Sequence, residues 1–236
     1  MPGPVALVGS GEYLPVMAEF ERLLLDGRPP RYVQLPTAAG QEGAASLSRW
    51  VSLGAEQAER LGVEPVAVMA VDRASAEDEG NAARVRGAGL IYLSGGSPAF
   101  VTATLRGTRV WAAIVEEWQG GAALAGCSAG AMALAQWLAD VRRPGRRLLT
   151  GLGVVPGLCV LPHFDRMRGW APSAAEGIAE ALPEGVTLLG IDEETAVLSD
   201  GADWRRWQVH GKQSAWVVSA GGATPFAAGG EGISLT

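Results

Sequence analysis

Gly126-Cys127-Ser128-Ala129-Gly130 matches the G-x-S-x-G pattern of a nucleophile elbow. The chemistry it offers is acyl transfer. A serine on a sharp turn between a strand and a helix is lifted above the carboxyl edge of a sheet, and the first helical N–H groups face the negative charge that forms there. The flanks suit that turn: Ala122-Ala123-Leu124-Ala125 reads as a buried strand, and Ala129 through Asp140 as a helix. Because 33 glycines are spread over 236 residues, the same pentapeptide also describes a small-residue turn that packs a helix on a sheet. The other catalytic parts must therefore be sought elsewhere in the chain.

A serine nucleophile needs a base, and the sequence holds two histidines. His210 lies in a Trp/Arg-rich strand pattern, which suits a surface or packing histidine. His163 ends the apolar run Leu158-Cys159-Val160-Leu161-Pro162 and opens a polar patch, Phe164-Asp165-Arg166-Met167-Arg168. It is the better general base, since catalytic groups gather at the carboxyl ends of strands. Three carboxylates compete to orient it: Glu193 in Gly190-Ile191-Asp192-Glu193-Glu194-Thr195-Ala196, Asp165 two residues away, and Asp140 at the end of the expected helix. The turn Ser94-Gly95-Gly96-Ser97 follows another strand pattern. If the sheet sets it beside the elbow, the N–H groups of Gly96 and Ala129 pair as oxyanion donors.

The elements that must position these groups alternate regularly. Strands are expected at Val5–Val8, Tyr32–Leu35, Val66–Val71 and Leu90–Leu93, and helices at Leu14–Leu25, Ala44–Leu61, Ser75–Arg86 and Val110–Trp118. Repeated βα units predict a mostly parallel sheet with helices on both faces, a three-layer α/β sandwich. After residue 186 the pattern becomes β-rich: Thr187–Ile191, Ala196–Leu198, Trp204–Val209 and Ala215–Val218, with hairpin-like gaps at Asp200-Gly201 and Gly211-Lys212. This reads as a C-terminal extension of the same sheet within one domain over residues 1–236. Trp204, Trp207 and Trp216 are expected to pack rather than stack on a ligand.

Bulk properties narrow the classes. The chain is 48% hydrophobic and 19% charged, with net charge −6, so it can bury a core and lacks the basic stripe of a nucleic-acid binder. The arginines at 142, 143, 146 and 147 surround Pro144-Gly145 and read as a solvated loop. No signal peptide or apolar stretch of membrane-spanning length is seen, which predicts a cytoplasmic protein with no membrane partner. Two cysteines and two histidines give no structural zinc spacing.

Gly9-Ser10-Gly11-Glu12, Gly95-Gly96, Gly126 through Ala131, Leu161-Pro162-His163-Phe164-Asp165-Arg166 and Gly190 through Ala196 together resemble, in that order, the aspartyl dipeptidase (peptidase E) and cyanophycinase family. The resemblance spans nearly the whole chain. It implies a serine peptidase on a fold similar to class I glutamine amidotransferases, acting on a small peptide without metal or organic cofactor. It also implies a glutamate as the third catalytic residue, which favours Glu193 with Glu194 in reserve. A substrate carboxylate would meet Arg166 or Arg168, and Glu12 would line or brace the site. The arginine-rich segment that cyanophycinases carry after the histidine is reduced here to those two arginines, which leaves the substrate open. An amidotransferase-like enzyme using Cys127 is the rival reading, weakened because the nucleophile is the third residue of an elbow and not the second. A small-molecule binding protein on the same fold is another. A homo-oligomer is compatible with the sequence.

Overall fold

The computed structural model describes residues 1–139, 148–171, 173–199, 201 and 203–235. Two sheets organise it. Five parallel strands, β1 (Val5–Val8), β2 (Arg31–Leu35), β3 (Glu64–Ala67), β4 (Leu90–Leu93) and β5 (Ala123–Cys127), lie in the order β1-β5-β4-β2-β3. The second sheet contains β6 (Ala135–Leu138), β7 (Leu149–Thr150), β8 (Val155–Leu161) and β9 (Thr187–Ile191), with β6, β8 and β9 parallel. The chain then returns to the first sheet. There β10 (Thr195–Ser199) and β11 (Arg206–Gly211) add antiparallel strands beside β1, and β12 (Ser214–Ser219) and β13 (Gly222–Ala227) extend the second sheet beside β9. The short β14 (Ile233–Ser234) pairs with β11.

Period-two alternation sorts the first sheet's side chains into two cores. Ala6, Val8, Tyr32, Leu90, Tyr92, Ala123, Ala125 and Cys127 face the helices Ala18–Leu25 and Ala44–Leu61, where Phe20, Leu24 and Ala58 meet them. Val5, Leu7, Val33, Leu35, Ile91, Leu93 and Leu124 face the opposite way, onto the helices Pro98–Leu105 and Arg109–Gln119 and onto Val155, Leu158, Val160, Leu189 and Ile191 of the second sheet. The far side of that sheet is covered by Phe164, Met167, Ala175 and Ile178. The molecule is thus an α/β sandwich with a mostly parallel sheet covered on both faces.

Several local expectations are revised. The helix after the elbow ends at Leu134, not at Asp140. Ala135 turns extended and pairs with Val155 of β8, as Trp137 does with Cys159, and this pairing outweighs the helix preference of an Ala-rich run. Asp140 and the arginine-rich loop lie outside the described residues. The expected helix Ser75–Arg86 is two helices, Arg73–Ala76 and Glu79–Val85, each started by an aspartate cap, Asp72 and Asp78. The helix expected over Leu14–Leu25 begins with a 3-10 turn at Pro15–Met17, and the strand expected at Val66–Val71 is Glu64–Ala67. The β-rich end does not extend one sheet. Thr187–Ile191 and the strand from Ser214 belong to the second sheet, so Gly211-Lys212 carries the chain between sheets and is no hairpin turn.

Candidate active site

The carboxyl ends of β1, β4 and β5 in one sheet, and of β8 and β9 in the other, converge on Ser128. Ser128 sits between β5 and the helix Ala129–Leu134 with φ 50° and ψ −110°, a conformation that costs a non-glycine residue energy and is typical of an elbow. Its N–H is held by the Val8 carbonyl at 2.9 Å. Glycines on either side make the turn possible: a Cβ on Gly126 would lie 2.5 Å from the Gly130 carbonyl carbon, and one on Gly130 2.2 Å from the Leu93 carbonyl oxygen. Among the described residues, the four non-glycine positions with positive φ are Tyr13, Ser128, His163 and Glu194. All four stand on the strand-end loops around this site, where backbone strain commonly marks function.

The side chains form a continuous series. Ser128 Oγ lies 3.1 Å from His163 Nε2, and His163 Nδ1 lies 3.0 Å from Glu193 Oε1. His163 precedes the helix Phe164–Trp170 in a left-handed conformation, φ 51° and ψ 39°. Parallel pairing of β8 with β9 sets Leu161 opposite Gly190, which brings the two strand-end loops side by side. Glu193 is fixed on all sides: Arg166 Nε donates to Oε2 at 3.1 Å, the Glu193 N–H donates to Asp165 Oδ1 at 2.9 Å, and Gln213 Nε2 donates to its carbonyl at 3.0 Å. The hydrogen bond from His163, then Arg166, holds the Glu193 carboxyl below its ordinary range. Asp165 therefore supports Glu193 and does not touch the imidazole.

The remaining sequence candidates separate clearly. The N–H groups of Gly96 and Ala129 donate to no described residue. Glu12 does not face open solvent: Oε1 accepts from the Gly95 N–H at 2.8 Å, and Oε2 lies 2.8 Å from Cys127 Sγ. Cys127 is fully buried, and burial followed by the Glu12 charge pushes its thiol well above the usual range. Arg168 lies over the Trp216 ring, 4.0 Å from its centroid, while Trp216 Nε1 donates to Asp192. Burial raises the Asp192 carboxyl despite those bonds. Glu194 turns away from His163 and pairs with Lys212. His210 stands on β11, opposite Ala196, half-buried, where desolvation lowers its pKa. Trp204 and Trp207 pack against each other with ring centroids 6.0 Å apart.

Sequence reasoning missed the contacts of Glu12 and Tyr13 with the turn after β4, including the 2.7 Å bond between the Tyr13 hydroxyl and Ser94 Oγ. A Glu-Tyr pair behind Gly9-Ser10-Gly11 was the one available signal. Among the described residues no group of His, Cys, Asp and Glu is arranged to hold a metal ion, and no helix is long and apolar enough to cross a membrane.

A serine on an elbow, an imidazole on its hydroxyl and a carboxylate on that imidazole, at the carboxyl edge of an α/β sheet, are arranged as in serine hydrolases. Residues 5–206 match the model of peptidase family S51. The chain belongs to that family of serine peptidases. Over 147 residues it is 33% identical to the cyanophycinases of Synechococcus elongatus and of Thermosynechococcus vestitus; the match takes in 58% of this chain and 45% of each cyanophycinase, less than half their length. A crystal structure of a peptidase from an acI-B1 Actinobacterium is 39% identical, covers 99% of this chain and 97% of its own, and superposes with a TM-score of 0.89. A putative peptidase E protein from Listeria monocytogenes EGD-e shares the fold, with a TM-score of 0.64 at 19% identity over 89% of this chain and 99% of its own.

Proposed function

We propose that this chain is a serine peptidase or isopeptidase that hydrolyses small peptides, with an aspartyl residue at the scissile bond, through Ser128, His163 and Glu193. The observation that carries the reading is the Ser128–His163–Glu193 hydrogen-bonded series, with spacings of 3.1 and 3.0 Å. His163 Nε2 takes the Ser128 proton as Oγ attacks the carbonyl carbon, then delivers it to the leaving amine as the C–N bond breaks. Water repeats the cycle on the acyl-enzyme. Glu193 accepts the Nδ1 hydrogen, which keeps Nε2 free to act as base. The N–H groups of Gly96 and Ala129 receive the oxyanion. These steps need no cofactor.

Arg166 supplies the specificity in this reading. Its Nε is anchored on Glu193, and its side chain is 72% exposed, so the outer edge of the guanidinium is available to a substrate carboxylate. The activity is assigned to one domain over residues 1–236, in the cytoplasm. The amidotransferase-like rival finds no support at Cys127, whose buried, Glu12-bonded thiol is held protonated.

Incubation with a fluorophosphonate, followed by mass mapping of the labelled peptide, tests the assignment. Label is expected on Ser128, and Ser128→Ala and His163→Ala should each lower peptide hydrolysis by several orders of magnitude with the fold intact. Near-native turnover by Ser128→Ala would refute the nucleophile.

A further inference from the structure

The loop after β1 reaches both halves of the site. On one side it meets the turn that carries Glu193: the Gly9 N–H donates to the Thr195 carbonyl at 2.9 Å, and a Cβ on Gly11 would lie 3.1 Å from Glu194 Cγ. On the other it holds the turn after β4 at two points. Glu12 Oε1 accepts from the Gly95 N–H, and the Tyr13 hydroxyl bonds Ser94 Oγ in a fully buried contact. Glu12 Oε2 also meets Cys127, the residue before the nucleophile.

That turn is built around a position that only glycine fills. Gly96 has φ 140°, and a Cβ there would stand 2.4 Å from the Ala38 carbonyl oxygen, so the backbone packs directly against its neighbour. Its fixed points are the Ser94 N–H on the Leu35 carbonyl at 3.2 Å, the Ser97 N–H on the Ala38 carbonyl at 2.9 Å, and the clasp from Glu12 and Tyr13. Gly95, whose N–H Glu12 takes, is bonded directly to Gly96, whose N–H takes no partner among the described residues. Without the clasp the Gly95 N–H would be free to rotate toward the oxyanion position and carry Gly96 away from it.

The geometry points to Glu12 as a positioning residue: by occupying the Gly95 N–H and bridging to Cys127, its carboxylate sets the Gly96 N–H against the Ser128 elbow and thereby shapes the oxyanion hole. This rests on Ser128 being the nucleophile and Gly96 an oxyanion donor. It makes Glu12 a group that acts through the backbone, the bracing role rather than the lining one among the two expected from the sequence.

The test uses the rate at which a small alkyl fluorophosphonate phosphonylates Ser128, since that reaction also builds negative charge on an oxygen in the hole and requires no knowledge of the natural substrate. In Glu12→Ala the rate is expected to fall at least tenfold, toward the roughly hundred- to thousandfold loss typical of a missing oxyanion donor. On any hydrolysed peptide kcat should fall by a similar factor, with KM within about twofold. Glu12→Gln, whose amide oxygen can still accept from Gly95, should retain labelling within about threefold. Glu12→Asp, whose carboxylate is one methylene short of the Gly95 N–H, should fall between the two, and it serves as the readout if Glu12→Ala does not fold. A wild-type rate in folded Glu12→Ala, or in Glu12→Asp when that variant stands in, overturns the inference. So does a Glu12→Gln variant as slow as Glu12→Ala. Absence of label from Ser128 in the wild type would instead refute the nucleophile assignment beneath it.

Discussion

Arg166 makes one contact that decides what its removal should do. Its Nε bonds Glu193 Oε2, yet the guanidinium is largely exposed, so the ion pair itself contributes little to stability. Two effects follow from Arg166→Ala. Loss of the Glu193 anchor should slow all substrates by a common, small factor, and loss of the substrate fork should slow aspartyl substrates by about a further tenfold or more. Kinetics on matched Asp-X, Asn-X and Ala-X dipeptides separate them. Equal losses on all three would leave Arg166 as a support of Glu193 alone and move the recognition of the acidic side chain elsewhere. Arg168, committed to the Trp216 ring, is the weaker candidate for that task.

At the level of elements, the buried contact between the helices Ala18–Leu25 and Ala44–Leu61 contains a carboxylate. Glu21 is fully buried and accepts from Gln57 Nε2 at 2.9 Å; Gln57 in turn accepts from Arg60, which also reaches the Tyr13 carbonyl at 3.3 Å. Burial raises the Glu21 pKa to about 8. The folded state therefore keeps a proton that the unfolded chain, with an ordinary glutamate pKa of about 4.3, releases. The stabilisation is full below that unfolded value and is lost as pH rises through about 8. Glu21→Gln, which retains an acceptor for Gln57 and cannot ionise, should be no more stable than wild type at pH 5 and more stable above pH 8. Thermal unfolding midpoints across that range check it, and identical pH slopes for the two proteins would exclude the effect.

The same scale shows which features the sequence makes legible. Val5–Val8, Ala44–Leu61, Leu90–Leu93 and Thr187–Ile191 have the boundaries read from their apolar periodicity, because each is a local pattern bounded by turn residues. Ser128 and His163 were likewise approachable from their strand-end positions, whereas Glu193 competed with Asp165 and Asp140 until the family resemblance favoured a glutamate. The division into two sheets was not legible, since the partner of β12 is β9 rather than β11, and this choice depends on residues more than twenty positions away. Ala135 misled for a related reason: alanine sets no period of its own, so pairing with β8 decides its conformation. The clasp from Glu12 and Tyr13 spans more than eighty residues and leaves no local trace.

Across the whole molecule, the nucleophile and the oxyanion turn belong to one sheet and the base and acid loops to the other. The 3.1 Å contact between Ser128 and His163 therefore depends on the apolar layer between the sheets, to which Leu189 contributes as a fully buried side chain. Leu189→Ala should cost about 2–5 kcal/mol in urea denaturation, by lost transfer energy and the cavity left behind. A loss below about 1 kcal/mol would mean that the layer collapses around the gap and is not a fixed spacer between the sheets.

The pairing of Glu194 with Lys212 has a practical side. Lys212 is the single lysine of the sequence, and its side chain is 59% exposed. Apart from the terminal amine, an amine-reactive fluorophore thus has one address on this protein, next to the turn that holds Glu193. A dye coupled there would sit one residue pair away from the acid of the site and report by its emission when that turn shifts, without the introduction of any cysteine.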